Sequence, residues 1–334
     1  MQAVLCHRHG PPETLVLEDV PPPAPAPGEV VVAVHAAGVN FPDTLIIENR
    51  YQFKPALPFS PGSEVAGTVQ SVSPGVTGFA PGDRVLALCG WGGYAEEVAV
   101  KASALVHLPD DVPLDSAAVL AATYGTTWYA LGDRAALQPG ETLLVLGAAG
   151  GTGAAAIQLG KMLGARVIAC ASSPQKLALC RQLGADEVID YQAQDLRQTV
   201  KELTGGRGVD VTYDPVGGSL TEAALRSMAW GGRLLVIGFA SGTIAQPPLN
   251  LALLKGCDIL GVFYGAFMER EPQRHAGLLR ELLGWVGQGW LRPAITGRLP
   301  LAQAAQALRQ LADRQAQGKT VLITERGRAG GLAG

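Results

Sequence analysis

The chain is poor in the features that would assign it to several large functional classes. Its five cysteines, Cys6, Cys89, Cys170, Cys180 and Cys257, are odd in number, widely spaced and never arranged as C-x-x-C. That pattern excludes a disulfide framework and a cysteine-built structural zinc site, and it reads as a set of buried thiols. Charge of one sign is missing as well: 26 basic side chains stand against 29 acidic ones, without a run of five like charges. No electrostatic footprint for nucleic acid or an anionic membrane follows from such a balance. The five histidines include His7 and His9 flanking Arg8, but nothing nearby offers a third metal ligand, so both read as ordinary strand residues. The amino-terminal text MQAVLCHRHG lacks a long apolar segment, so no signal peptide and a cytoplasmic location are expected.

One stretch is long enough to resemble a membrane span. Thr142 to Gly160 is 19 residues without a charge, about the length that crosses a bilayer as a helix. Its middle rules this out, because four glycines fall within seven positions from Gly147 to Gly153 and divide the stretch into strand, turn and helix. With 48% hydrophobic and 16% charged residues in 334, the composition is that of a compact globular chain large enough for two domains.

Short β-rich runs cut by Gly and Pro occupy Val30 to Val39 and Glu64 to Val85, suggesting a small barrel-like β domain. The segment VPPPAPAPGE between them and the start is a surface connector. Near residue 122 the rhythm changes to β-α repetition. Strands are expected at Thr142–Gly147, Arg166–Cys170, Glu187–Asp190, VDVTY, RLLVIG and DILGV, with helices at Gly151–Gly164, Pro174–Leu183, 193–203 and from Ser219. Six strands alternating with helices predict a doubly wound parallel sheet. After residue 264 come a helix near 272–288, a helix over 301–314 and a last strand, KTVLI. The expected division is therefore a discontinuous β-rich domain, 1–121 and 265–334, interrupted by an α/β domain over 122–264, with a cleft where they meet.

The stretch LGAAGGTGAAAIQ nearly spells the glycine fingerprint of a dinucleotide site. In the register Ala148-x-Gly150-x-x-Gly153 alanine stands in the first glycine position, and the acidic residue expected about 20 positions on is missing. Gly150 and Gly151 let the backbone approach a pyrophosphate, Gly153 lets the helix pack on the sheet, and the helix amino terminus offers N–H groups to an anion. At the end of the second strand the text is IACASSPQK. No carboxylate there repels a 2′-phosphate, while Ser172, Ser173, Lys176 and, after the third strand, Tyr191 can donate to one.

The ordered set GVNFPD, LPFSPGSEVAGTV, GDRV, YGTTWYAL, PGETLLVLGAAGGTG, LGADEVIDY, GVDVTYDPVGG and GKTVLI resembles the quinone oxidoreductase branch of the medium-chain dehydrogenase/reductase superfamily over nearly the whole chain. The resemblance implies a GroES-like catalytic domain joined to a Rossmann domain that binds NADPH, and A-x-x-G-G-x-G is that branch's form of the fingerprint, covering Ala148, Gly150, Gly151, Thr152 and Gly153. It implies that Ser173, Lys176 and Tyr191 read the 2′-phosphate, that Asn40 and Thr126 lie beside the nicotinamide ring, and that Tyr51 lies at the substrate cleft as a proton donor or as an aromatic wall. Gly238, Phe239, Ser241, Phe263 and Tyr264 fall where relatives close over the nicotinamide half; each side chain would serve equally as core packing. Where zinc-dependent relatives keep ligands this chain has Asn40, Ser63 and ATYGTTWYA, which implies no catalytic zinc. The expected chemistry is hydride transfer from NADPH to a quinone or an α,β-unsaturated carbonyl compound by a homodimer. An enoyl-thioester reductase, with Arg50 and Lys54 at a basic mouth, and a non-enzymatic NADPH-binding protein are the other readings.

Overall fold

The computed structural model describes residues 1–332. The chain forms two compact units: one from Met1–Ala122 and Leu279–Gly334, the other from Thr123–Leu278.

In the first unit the ten-residue strand Glu29–Gly38 is buried along almost its whole length, as an apolar run covered on both faces should be. Strands Glu64–Val72 and Glu97–Lys101 pair with it antiparallel, and the sheet continues through Arg84–Leu88 to Leu105–His107. On its other side lies Lys319–Ile323, with Val321 opposite Gly38, followed by Ile295–Pro300. The end of the chain thus completes a sheet begun near its start, the arrangement that an inserted domain requires. Close approach explains one glycine here: a Cβ on Gly67 would sit 1.9 Å from the Ala33 carbonyl oxygen, beside the register shift between Val34 and Ala36. Val30, Val32, Val34, Val65, Val85, Tyr94, Leu308 and Leu322 are among the residues that fill the core.

The second unit carries six parallel strands: Thr142–Val145, Arg166–Ala171, Glu187–Asp190, Val209–Asp214, Met228–Val236 and Asp258–Gly261. Across the sheet they stand third, second, first, fourth, fifth, sixth, the order of a doubly wound dinucleotide fold. Helices Gly151–Met162, Pro174–Gln182, Leu196–Leu203 and Ser219–Arg226 connect the first five, and Asn250–Lys255 lies between the last two. The uncharged stretch from Thr142 resolves into strand, turn and helix, and among the described residues no helix is long and apolar enough to cross a membrane.

Three features depart from expectation. This unit runs on to Leu278 rather than ending at 264, because a helix at Tyr264–Arg270 packs into it, with Phe267 stacked on Tyr129 at 4.2 Å between ring centroids. The expected helix from 301 begins as a 3₁₀ turn, Leu301–Gln303, before the α-helix Ala304–Ala312. Wide π-type turns at Leu120–Gly125 and Tyr129–Arg134 flank the short α-helical stretch Thr126–Trp128.

Candidate cofactor and acceptor sites

In an open parallel sheet, ligands bind outside the carboxyl ends of the strands where strand order reverses. Here that point lies between Thr142–Val145 and Val209–Asp214, which pair directly. After the first strand Gly147 adopts φ +57°, the Ala148 N–H donates to the Cys170 carbonyl at 2.9 Å, and Gly150 leads into the helix from Gly151 through Thr152 and Gly153. No side chain caps this helix and no acidic residue lies in its first turn, so the helix itself supplies no anion to its N–H groups and partial positive charge. The two glycines differ in their reasons. A Cβ on Gly153 would strike Gly147 O at 2.4 Å and the Ala148 Cα at 2.6 Å, whereas one on Gly150 would meet only Gly147 O, at 3.3 Å.

Beyond the fourth strand the buried Asp214 carboxylate accepts from Val216 N and Gly217 N, both at 2.9 Å, and from Thr221 Oγ1 at 2.5 Å. This shapes a turn with Gly217 and Gly218 at positive φ. The loop after the fifth strand is stitched to it: Ser241 N donates to Val216 O at 2.9 Å and Gly218 N to Thr243 O at 3.1 Å. Gly238 and the partly exposed Phe239 precede Ser241, and Phe239 lies so close to Gly217 that a Cβ there would be 2.7 Å from its ring.

At the end of the second strand the phosphate-reading candidates meet. Ser173 caps the helix Pro174–Gln182 by accepting from Lys176 N, and Lys176 Nζ donates to Ser172 Oγ at 3.3 Å. Tyr191 follows the third strand, half-buried, its N–H donating to Ala171 O at 3.3 Å. Asp190, the register partner of Ala171, has Oδ1 engaged by the Gln192 N–H at 3.0 Å.

Thr126 is half-buried at the start of Thr126–Trp128. Its neighbour Thr127, which sequence reasoning passed over, anchors the turn: its hydroxyl donates to Thr123 O at 2.8 Å and lies 2.9 Å from Tyr213 Oη. Burial pushes the Tyr213 phenol up, keeping it a neutral partner. Phe263 and Tyr264 part company. Phe263 is 59% exposed, while Tyr264 is 8% exposed, with its hydroxyl against Gly125 and 2.9 Å from His275 Nε2.

In the other unit Asn40 precedes the helix Phe41–Ile47. Its N–H donates to Asp43 Oδ2 at 2.8 Å, which also accepts from Tyr94 Oη at 2.8 Å. Its side-chain oxygen accepts from Lys319 Nζ at 2.6 Å and its Nδ2 donates to Glu64 Oε2 at 3.3 Å. Burial pushes Asp43 up to about 6 and Glu64 up to about 7, opposed in each case by Lys319; burial also pushes Lys319 down, and both carboxylates oppose it. Lys319, Glu64, Asp43 and Tyr94 were not anticipated as site residues, although three of them stand inside the motifs GVNFPD, LPFSPGSEVAGTV and GKTVLI. Tyr51 is half-buried, its ring edge to Phe53 at 5.6 Å, and its phenol is pushed up first by burial and then by Asp43.

Two family models match: the alcohol dehydrogenase GroES-like domain over residues 26–110 and the zinc-binding dehydrogenase over 151–281. The chain is 39% identical to the quinone oxidoreductase-like protein 2 homolog of Nematostella vectensis, over 97% of this chain and 89% of that protein. It is also 39% identical to the quinone oxidoreductase of Pseudomonas aeruginosa, over 94% and 97%. Among solved structures, Escherichia coli quinone oxidoreductase complexed with NADPH superimposes with a TM-score of 0.91 at 30% identity, covering 97% of this chain and 100% of that one. With a sheet order, a glycine turn and an end-to-end likeness all in agreement, the chain belongs to the quinone oxidoreductase branch of the medium-chain dehydrogenase/reductase superfamily.

Proposed function

We propose that this protein is an NADPH-dependent reductase that delivers hydride to quinones or α,β-unsaturated carbonyl compounds without a metal. The observation that carries the cofactor choice is the second strand's end, where Ser172, Ser173 and Lys176 stand in place of an acid. The uncapped helix from Gly151 supports the same reading, as does the E. coli relative solved with NADPH. When bound, NADPH supplies a hydride from its nicotinamide C4. The chain's part is to hold and orient. Gly150, Gly151 and Thr152 receive the pyrophosphate, Ser172, Ser173, Lys176 and Tyr191 receive the 2′-phosphate, and Gly238, Phe239, Ser241, Phe263 and Tyr264 form the wall on the nicotinamide side. Thr126 and Asn40 border the ring, and Tyr51 faces the acceptor. A flat, electrophilic acceptor needs orientation and a proton rather than a Lewis acid. The Tyr51 phenol, made a weaker acid by burial and Asp43, suits orienting the acceptor's oxygen by a hydrogen bond and gives up its proton only to a basic product anion.

Zinc does not fit the donors present. Asn40 has its carboxamide committed to Lys319 and Glu64. Ser63 offers only a hydroxyl, and the Cys89 thiol is pushed up to about 12 by burial, the opposite of what a thiolate ligand needs. Metal analysis of the purified protein is expected to find no stoichiometric zinc; one tightly held zinc per chain, with activity lost to chelators, would overturn this part of the reading.

The acceptor class is tested by following NADPH oxidation with a panel of quinones, enones and enoyl-CoA thioesters. Turnover of quinones or enones is expected. Turnover confined to enoyl-CoA would reassign the protein as a thioester reductase, a reading weakened by Arg50, whose guanidinium is paired with Glu48 at 3.0 Å. NADPH binding without turnover of any acceptor would leave a binding protein. We also propose a homodimer: Asp258–Gly261 is an edge strand, with Trp230 82% exposed and Leu253, Leu254 and Ile259 exposed near that edge in sequence or sheet order. Light scattering at twice the chain mass is expected, and a monomer would refute it.

A further inference from the structure

Lys319 is 4% exposed, an expensive place for an ammonium group. It donates to Val39 O and to Asn40 Oδ1, both at 2.6 Å. The other end of the same carboxamide is equally committed, since Nδ2 donates to Glu64 Oε2 at 3.3 Å while Glu64 Oε1 accepts from Ala122 N at 2.9 Å. An amide facing water or hydroxyls exchanges its oxygen and nitrogen at little cost, because those partners both donate and accept. Here it cannot. An ammonium only donates and Glu64, once ionised above about pH 7, only accepts, so there the reversed amide would exchange two charge-assisted bonds for two repulsive contacts. The main chain is fixed too, through Asn40 N on Asp43 Oδ2. One N–H of Nδ2 is left over with its direction determined.

We propose that Lys319 is a positioning residue, which together with Glu64 clamps the Asn40 carboxamide in one orientation and so keeps its remaining N–H a donor of fixed direction. The inference rests on the functional reading above, in which Asn40 serves the hydride-transfer reaction. A donor oriented before the reaction needs no reorganisation during it. Lys319 also offsets the buried Glu64 and Asp43 carboxylates, so its loss lowers stability as well, and its positioning role is read from the carboxamide and from the double variant, which stability does not set.

The test uses the full chain as wild type, Lys319→Met, Asn40→Ser and the double variant. In cofactor-free wild type, the Asn40 carboxamide is expected to give two separate N–H signals by NMR, with slow solvent exchange; in Lys319→Met they should shift and exchange faster. Single-turnover hydride transfer from NADPH to a quinone should slow roughly ten- to a hundredfold in Lys319→Met, while NADPH affinity, set at the phosphates, changes little. Asn40→Ser should show a similar loss, and the double variant should be no slower than Asn40→Ser. Losses that multiply in the double variant would show Lys319 acting independently of Asn40 and overturn the proposal. Should Lys319→Met fail to fold, the wild-type signal decides: a carboxamide exchanging as fast as one on an exposed asparagine refutes the clamp. A slowly exchanging carboxamide in a protein that turns over no acceptor would support the clamp and overturn the reaction it is proposed to serve.

Discussion

Lys176 Nζ lies 3.3 Å from Ser172 Oγ, so the first turn of the helix Pro174–Gln182 and the end of the second strand present one cation and two hydroxyls together. A 2′-phosphate placed there carries close to two negative charges, and a charge-assisted contact to Lys176 contributes roughly 1.5 to 3 kcal/mol, or about one to two decades in binding. NADH gains nothing from it. Lys176→Ala is therefore expected to weaken NADPH by that margin and leave NADH nearly unchanged, and Ala171→Asp to go further by adding repulsion. Titrating both cofactors at fixed salt checks this, because screening alters the answer. Equal affinity of the wild type for the two cofactors would refute the assignment.

Tyr51 is held protonated by burial and by the nearby Asp43. Enolates are more basic than hydroquinone anions and gain more from a positioned donor. Tyr51→Phe should therefore keep NADPH affinity while slowing enones more than ortho-quinones. Equal losses on both acceptors would make Tyr51 an aromatic wall, with the proton arriving from elsewhere.

Periodicity located the strands of the α/β unit and the helices between its first five strands, because each is a local pattern, but the helices Asn250–Lys255 and Tyr264–Arg270 were not anticipated. The long-range pairings were another matter. Asn40 and Lys319 are 279 residues apart, and no local pattern says that one will clamp the other. Tyr264 shows a second limit: no local pattern says which of two adjacent aromatics is buried, since the missing side chain of Gly125 makes room for the Tyr264 hydroxyl while Phe263 is left exposed. The π-type turns around Thr126 were invisible for a simpler reason, since one extra residue per turn leaves the apolar pattern almost unchanged over so short a span.

His275, beside Tyr264, is pushed down to about 4 by burial. Between its ordinary value of about 6.5 and that value, the unfolded chain takes up a proton that the folded chain refuses. Its contribution to stability is therefore present above pH 6.5 and lost as pH falls toward 4. The melting temperature should drop through this window in wild type and drop less steeply in His275→Gln, which has no proton to gain. Parallel slopes for the two proteins would mean that folded His275 accepts the proton after all.

The two glycines of the turn provide the sharpest separation between folding and function. Gly153→Ala places a methyl group 2.4 Å from the Gly147 carbonyl oxygen and 2.6 Å from the Ala148 Cα, both main-chain atoms that cannot swing aside. Overpacking of this kind costs about 1 to 3 kcal/mol, and Gly153→Ala should lower the denaturation midpoint whether or not cofactor is present. Gly150→Ala meets only one atom, at 3.3 Å, with φ at −76°, a value any residue adopts. Its fold should survive nearly unchanged. The added methyl instead occupies the approach that a pyrophosphate needs at the helix amino terminus, and NADPH and NADH should weaken together, roughly tenfold or more. Parallel denaturation curves and cofactor titrations on both variants check the contrast. A Gly150→Ala protein that binds both cofactors as tightly as wild type would move the pyrophosphate away from this turn and, with it, the site proposed for the whole dinucleotide.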